Sequence, residues 1–211
     1  MKKLSMGIAA LMTIAPAPFV IDINSVTPVI IILSILLLIW AAVEFYIGLS
    51  RPCEGLTPSH LLIKIDRMIW PFLIIYSWLD FSHHWTSLVF PAWINALLIS
   101  SCILSLVLRV WAVVHLGESF SYDVKKPEGE ILVTTGPYRI IRHPAYLAVC
   151  VLGSFPGLIL GSIPGFVGML AATSFIVVCR INAEEKILEK EYGDIFIAYK
   201  RRSHKLIPFI Y

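Results

Sequence analysis

The sequence predicts an all-α fold: a polytopic integral membrane protein with five to six transmembrane helices and a C-terminal helical hairpin. Three observations carry that prediction. The 211 residues are 58% apolar and only 15% charged, with a mean hydropathy of +0.82, too oily for a water-soluble domain of this length. Apolar runs alternate with short polar connections. Lysine and arginine gather on every second connection and are missing from the others. The net charge of +3 does not indicate nucleic acid, because the basic residues flank apolar runs and form no continuous stripe.

In chain order, Lys2 and Lys3 precede an apolar run at 4–21 interrupted by Pro16 and Pro18. Basic start, apolar middle and small residues suit a signal peptide, yet the run reads better as a kinked first span. Residues 26–49 give an unambiguous span, with Glu44 near its end reaching the interface. After a polar connection at 50–67, residues 68–81 form a shorter span that the mixed stretch from His60 lengthens. Asp80, His83 and His84 then read as a polar loop. Adjacent histidines do not share a helical face and no third ligand is near, so no metal site is expected.

Residues 88–116 are the next span, and Arg109 toward its far end must pair, snorkel or face a polar cavity. Residues 117–141 form a polar loop that turns at 125–129 and approaches the Gly136-Pro137 corner in extended form. Segments 146–160, 161–165 and 166–179 read as helix, turn, helix, with glycines that let backbones approach. From Arg180 the tail is amphipathic: Ile181, Leu188, Ile195 and Tyr199 fall on or near one face, and Gly193 breaks the helix. The cysteines Cys53, Cys102, Cys150 and Cys179 have no metal-ligand spacing and read as packing residues.

If Lys2 and Lys3 are cytoplasmic and every run crosses, then Arg51, Lys64, Arg67, Lys125, Lys126, Arg139, Arg142 and the basic tail share that side. The connections near 22–27, 80–87 and 161–165 contain no lysine or arginine. That asymmetry favours six crossings, or five without the first run. The hairpin then returns Arg180, Glu184 and Glu185 to the membrane face that holds the turn Gly136-Pro137-Tyr138-Arg139-Ile140-Ile141-Arg142-His143-Pro144-Ala145-Tyr146.

These clusters combine cationic donors (Arg139, Arg142, His143, Arg180), carboxylates (Glu184, Glu185) and the aromatic hydroxyls of Tyr138 and Tyr146. Such a set suits a zwitterionic ligand with an aromatic ring, and arginine is the residue that grips a carboxylate with two donors. The same charges equally suit an interfacial anchor that solvates lipid phosphates. No nucleophile elbow, phosphate-binding loop or HExxH helix is present.

A resemblance separates these readings. Leu132-Val133-Thr134-Thr135-Gly136-Pro137-Tyr138-Arg139, Arg142-His143-Pro144-Ala145-Tyr146, Arg180-Ile181-Asn182-Ala183-Glu184-Glu185, Tyr192-Gly193, Tyr199 and Leu206-Ile207-Pro208-Phe209 resemble the isoprenylcysteine carboxyl methyltransferases, from about Arg109 onward. The wider superfamily includes phospholipid methyltransferases. The resemblance implies S-adenosyl-L-methionine as cofactor, no metal, and methyl transfer to the carboxylate of a prenylated cysteine or similar lipophilic molecule. It implies a cytoplasmic cofactor pocket in which Ile131, Leu132 and Val133 contribute backbone contacts and Tyr138 a wall. His143, Pro144, Ala145 and Tyr146 form the pocket's core, Glu184 holds a polar group of the cofactor, and Arg180 faces the acceptor carboxylate as the catalytic clamp. Ala148 stands where the family commonly has glycine.

The chain then reads as a single membrane domain in which 1–116 supply spans and 117–211 the cofactor-binding half. Its partners are membrane lipid and a lipophilic small molecule or prenylated peptide, not nucleic acid. Its compartment is the endoplasmic reticulum in a eukaryote or the cytoplasmic membrane in a prokaryote. Amine N-methylation, with Glu185 or His143 as base, and a non-enzymatic partner-binding role are the competing expectations.

Overall fold

The computed structural model describes residues 28–50, 58–120 and 132–207. The first apolar run, Cys53, the 125–129 turn, Ile131, Pro208 and Phe209 lie outside the described residues. Among those described, all regular structure is helical apart from one parallel bridge between Ile141 and His204. The helices are α1 (Pro28–Ser50), α2 (Pro58–His83), α3 (Ala92–Leu116), α4 (Pro144–Ile159), α5 (Ile163–Tyr192) and α6 (Asp194–Arg202). Short 3-10 turns span Gly117–Ser119 and Gly136–Arg139.

Among the described residues, three helices, α1, α3 and α5, are long and apolar enough to cross a membrane. They are apolar on their outer faces as well as their inner ones. Ile31 and Ile35 on α1, Leu104 and Val114 on α3 and Phe175 on α5 are all exposed, and in water such a belt would not persist. The inward faces build one core from Leu33, Leu36, Trp70, Ile74, Trp78, Leu152 and Met169. The α4–α5 hairpin is as close as its glycines suggest: a Cβ at Gly157 would stand 2.6 Å from the Phe166 backbone nitrogen. Trp70 ties α2 to this hairpin, its Nε1 donating to the Gly153 carbonyl at 2.8 Å.

Several boundaries differ from those expected. Helix α2 runs unbroken from Pro58 to His83 through Pro71, so Asp80 and His83 belong to its last turns and not to a loop. The Asp80 side chain is fully buried and receives Thr86 N at 2.7 Å, Thr86 Oγ1 at 2.8 Å and Ser162 Oγ at 2.5 Å, which removes the cost of burying it. Helix α3 begins at Ala92 and not Leu88: Pro91 is still extended as its N-cap, and the Leu88 N–H donates to the Gly161 carbonyl at 2.8 Å. The hairpin turn is tighter than 161–165, since α4 ends at Ile159 and Ser162 already caps α5 through Gly165 N.

In the tail, Gly193 takes φ +51 and re-aims the chain, so one continuous face through Ile181, Leu188, Ile195 and Tyr199 does not form. Ile195 is 67% exposed, and Phe196 joins Tyr199 in the interior. The result is a bundle with two distinct ends. One holds the α2–α3 loop and the α4–α5 turn; the other gathers the C-terminal ends of α3 and α5, the start of α4, and α6.

Candidate active site

At this second end the α4–α5 hairpin closes the long sequence separation between the two polar clusters. Helix α4 starts with Pro144 at its first turn, which fixes φ where no amide partner is needed, and this projects Tyr146 toward α5. The Tyr146 hydroxyl donates to Glu184 Oε2 at 2.9 Å and accepts from Arg180 Nε at 3.2 Å. The Arg180 guanidinium carbon lies 5.4 Å from the centre of the Tyr146 ring. A single phenol thus holds a cation and a carboxylate side by side.

Behind it stands a second knot. Arg142 Nε donates to Glu185 Oε1 at 2.9 Å, and His143 Nε2 meets the same oxygen at 3.3 Å. Arg142 Nη1 also donates to the carbonyls of Ser203 and Lys200. Lys205 Nζ lies 3.9 Å from Glu185 Oε2 and bonds Asn182 Oδ1 at 3.0 Å. The backbone follows: Arg142 N donates to His204 O at 2.8 Å and His204 N to Ile140 O at 2.9 Å. The adjacent glutamates therefore do different work, Glu184 at the Tyr146 knot and Glu185 in a strap that binds the tail to the Arg-His-Pro corner.

Tyr138 closes a third side. It packs with Ala112, Ala145 and the half-buried Val133. Its hydroxyl donates to the Ala112 carbonyl at 3.3 Å, and burial pushes it well above the ordinary tyrosine range. Its own carbonyl accepts the Tyr199 hydroxyl at 2.5 Å; burial likewise pushes Tyr199 up to about 12, so it remains a donor at neutral pH. Gly136, at φ +57, passes so close to His115 that a Cβ would stand 2.7 Å from the imidazole. That imidazole is hydrogen-bonded to Thr135 Oγ1 at 2.9 Å.

Of the residues expected at the site, His143, Pro144, Ala145, Tyr146, Arg180 and Glu184 come together, with Val133 and Tyr138 alongside through Ala145. Leu132 is half-buried next to Val133. Arg142, read from the sequence as a donor toward a ligand, is instead committed to Glu185 and the tail carbonyls.

Two features were not anticipated. The tail atoms of Lys200, Ser203 and Lys205 carry no motif, and nothing in the sequence points to them. Arg109, expected to pair, snorkel or face a polar cavity, does pair, and its partner is Glu44, which was expected only to reach the interface: the two form a two-pronged bond at 2.8 and 3.1 Å between α1 and α3, under Phe120. A lone acid and a lone base near matching ends of two apolar runs were the signal that could have found it.

Comparison with known proteins bears directly on this end of the molecule. Residues 96–190, from α3 through the Tyr146 and Glu185 knots, match the model of the isoprenylcysteine carboxyl methyltransferase family. This stretch of the chain is similar to that family. Protein-S-isoprenylcysteine O-methyltransferase B of Arabidopsis thaliana is 29% identical over 126 residues, 56% of this chain and 61% of that protein. The Tribolium castaneum protein-S-isoprenylcysteine O-methyltransferase is 30% identical over 172 residues, 78% of this chain and 59% of its own length. The chain thus spans about three fifths of each of these family members. A solved structure of a eukaryotic intramembrane Ras methyltransferase of the family superposes with a TM-score of 0.59 at 21% identity, covering 97% of this chain and 74% of that one. The likeness establishes the membrane fold.

The donor set suits a sulfonium cofactor with an amino-acid end and an adenine ring. Glu184 can meet its ammonium, Tyr138, Tyr146 and Pro144 offer flat or apolar surface, and Arg180 beside them can meet the carboxylate of an acceptor. Among the described residues no cluster could hold a metal ion.

Proposed function

We propose that this chain is an S-adenosylmethionine-dependent membrane methyltransferase that esterifies a lipophilic carboxylate, with the C-terminal carboxylate of an isoprenylcysteine as its acceptor class. One observation carries the reading: the Tyr146 hydroxyl holds Arg180 and Glu184 together at the mouth of the family-matched hairpin. The relatives' names supply the acceptor class.

When bound, the cofactor supplies an already activated methyl group. The protein's share is to align an oxygen with it and to keep water away. His143, Pro144, Ala145, Tyr146 and Glu184 would hold the cofactor, with Ile131, Leu132, Val133 and Tyr138 beside it. Arg180 would clamp the acceptor carboxylate, which is ionised at neutral pH and needs no base. This favours ester formation over amine methylation, because Glu185 is tied to Arg142 and is poorly placed to take a proton. The lysine and arginine pattern supports a cytoplasmic side for this end, in a chain that would act as one membrane domain.

Purified protein given methyl-tritiated S-adenosylmethionine and a farnesylated cysteine should yield labelled product whose methyl group is released by mild base. A base-stable label, with a rate that climbs with pH through an amine's titration, would replace this reading with N-methylation. Saturable cofactor binding without transfer to any lipophilic carboxylate would leave a binding protein.

A further inference from the structure

The outer face of α3 carries two tryptophans in register. Trp93 and Trp111 stand 18 positions apart, about five helical turns, so both point to one side, and they are 65% and 52% exposed. Between them the same side exposes Leu97, Ile103, Leu104 and Val107 and no charged residue. The opposite side holds Cys102, Ser105, Arg109 and Ala112, all buried. Tryptophan on a span settles where hydrocarbon meets headgroups, its ring in apolar surroundings and its N–H near water. Two that face outward at the two ends of an uncharged strip therefore mark two boundaries. The rise between them is about 27 Å, at the thin end of biological bilayers. A protein partner would place such residues near the centre of its contact; here both stand at the ends.

Helix α5 gives a similar measure independently. From Ile163 its exposed large residues are apolar through Val167, Leu170, Phe175 and Val178, and the next exposed positions are Asn182, Ala183 and Lys186. The change falls roughly 23–29 Å from Ile163. The two helices share their ends. Leu88, ahead of α3, bonds Gly161, ahead of α5. At the other end Tyr138, bonded to the Ala112 carbonyl, packs on Ala145, beside the Tyr146 that reaches Arg180 and Glu184.

We propose that this face of α3 is a lipid-contacting surface matched to a bilayer with about 27 Å of hydrocarbon, and that the boundary at Trp111 continues across α5 between Val178 and Asn182, level with Arg180. The candidate site then opens at the depth of the headgroups. Arg109 lies about 3 Å to the hydrocarbon side of Trp111, where its Glu44 partner offsets the cost of a charge. This depth holds whichever ligand the site takes.

Brominated phosphatidylcholines, whose bromines quench tryptophan on contact, test the depth in the full chain reconstituted into vesicles. The fluorescence lost in Trp93→Phe and in Trp111→Phe is the signal of each residue. Both signals should be quenched more by bromines near the headgroup end of the acyl chain than by bromines near its methyl end, and a tryptophan at mid-strip, Leu104→Trp, should show the reverse order. On α5, Val178→Trp should be quenched about twofold more than Ala183→Trp. A reversed order at Trp93 or Trp111 overturns the boundaries. Absence of quenching by either lipid overturns the surface, and is the result expected if a second copy or another protein covers it. Equal quenching at 178 and 183 overturns the boundary through the site.

Thermal unfolding in vesicles of increasing acyl-chain length reads the thickness. The midpoint should peak in bilayers with about 27 Å of hydrocarbon and fall in thicker ones. Trp111→Leu combined with Val114→Trp moves the anchor outward along the same exposed face by about 4.5 Å, so the peak should shift to longer chains. A midpoint that stays flat across chain lengths, or a peak that the double variant leaves in place, overturns the match.

Discussion

The two ends of the bundle solve the same problem, a buried carboxylate, in opposite ways. Beyond the hairpin turn, Asp80 is met by two hydroxyls and a backbone N–H, with no lysine or arginine in the adjoining loops. At the other end, Glu185 is met by Arg142, His143 and Lys205, and Glu184 takes the Tyr146 hydroxyl that also accepts from Arg180. Hydroxyls and an amide close a loop and leave nothing over for a ligand. Guanidinium, ammonium and carboxylate groups packed in one place keep a field that a charged ligand can exploit. Polarity alone does not mark the site; the mixture of full charges does.

The comparison is sharpened most by Arg180→Ala. Turnover should fall about a hundredfold or more with cofactor affinity little changed, because a clamp on the acceptor acts on the reacting pair. Parallel methyl-transfer and S-adenosylhomocysteine binding measurements check this, and an equal loss in both would move Arg180 to the cofactor.

Asp80→Ala should have the converse signature. It leaves the Ser162 and Thr86 hydroxyls without their acceptor and costs about 2–4 kcal/mol of stability, while the folded fraction binds cofactor normally. Thermal unfolding in detergent, set beside binding per folded molecule, measures it. A binding defect without lost stability would break the contrast between the ends.

Gly136→Ala is the smallest of the three. It places a side chain at φ +57 and against the His115 ring, costing about 1–2 kcal/mol. Its effect should appear in the melting midpoint and only secondarily in activity.

Helix positions were legible because apolar runs of membrane length have few alternatives, and the hairpin followed from its glycine-rich turn. The ends of the elements were not. Asp80 finds a partner in Ser162, 82 residues away, and the Leu88 N–H finds one in Gly161, neither of which the local sequence announces. Among candidate site residues, His143, Tyr146, Arg180 and Glu184 were named from compact motifs that resemble a family's, and the fold brings them together. The partition of Arg142 and Glu185 into a strap could not, since neighbouring Glu184 and Glu185 look alike until a fold gives each its own partner.

The sequence by itself determined a helical membrane protein and a set of charged motifs similar to those of one family. Solvation does that work: apolar runs and basic flanks respond to lipid and water wherever they stand in the chain. Only the tertiary structure decided which charges bind the tail and which meet at Tyr146. Pairing is a matter of a few ångströms across elements distant in sequence, set by how the hairpin closes and where Gly193 returns the tail.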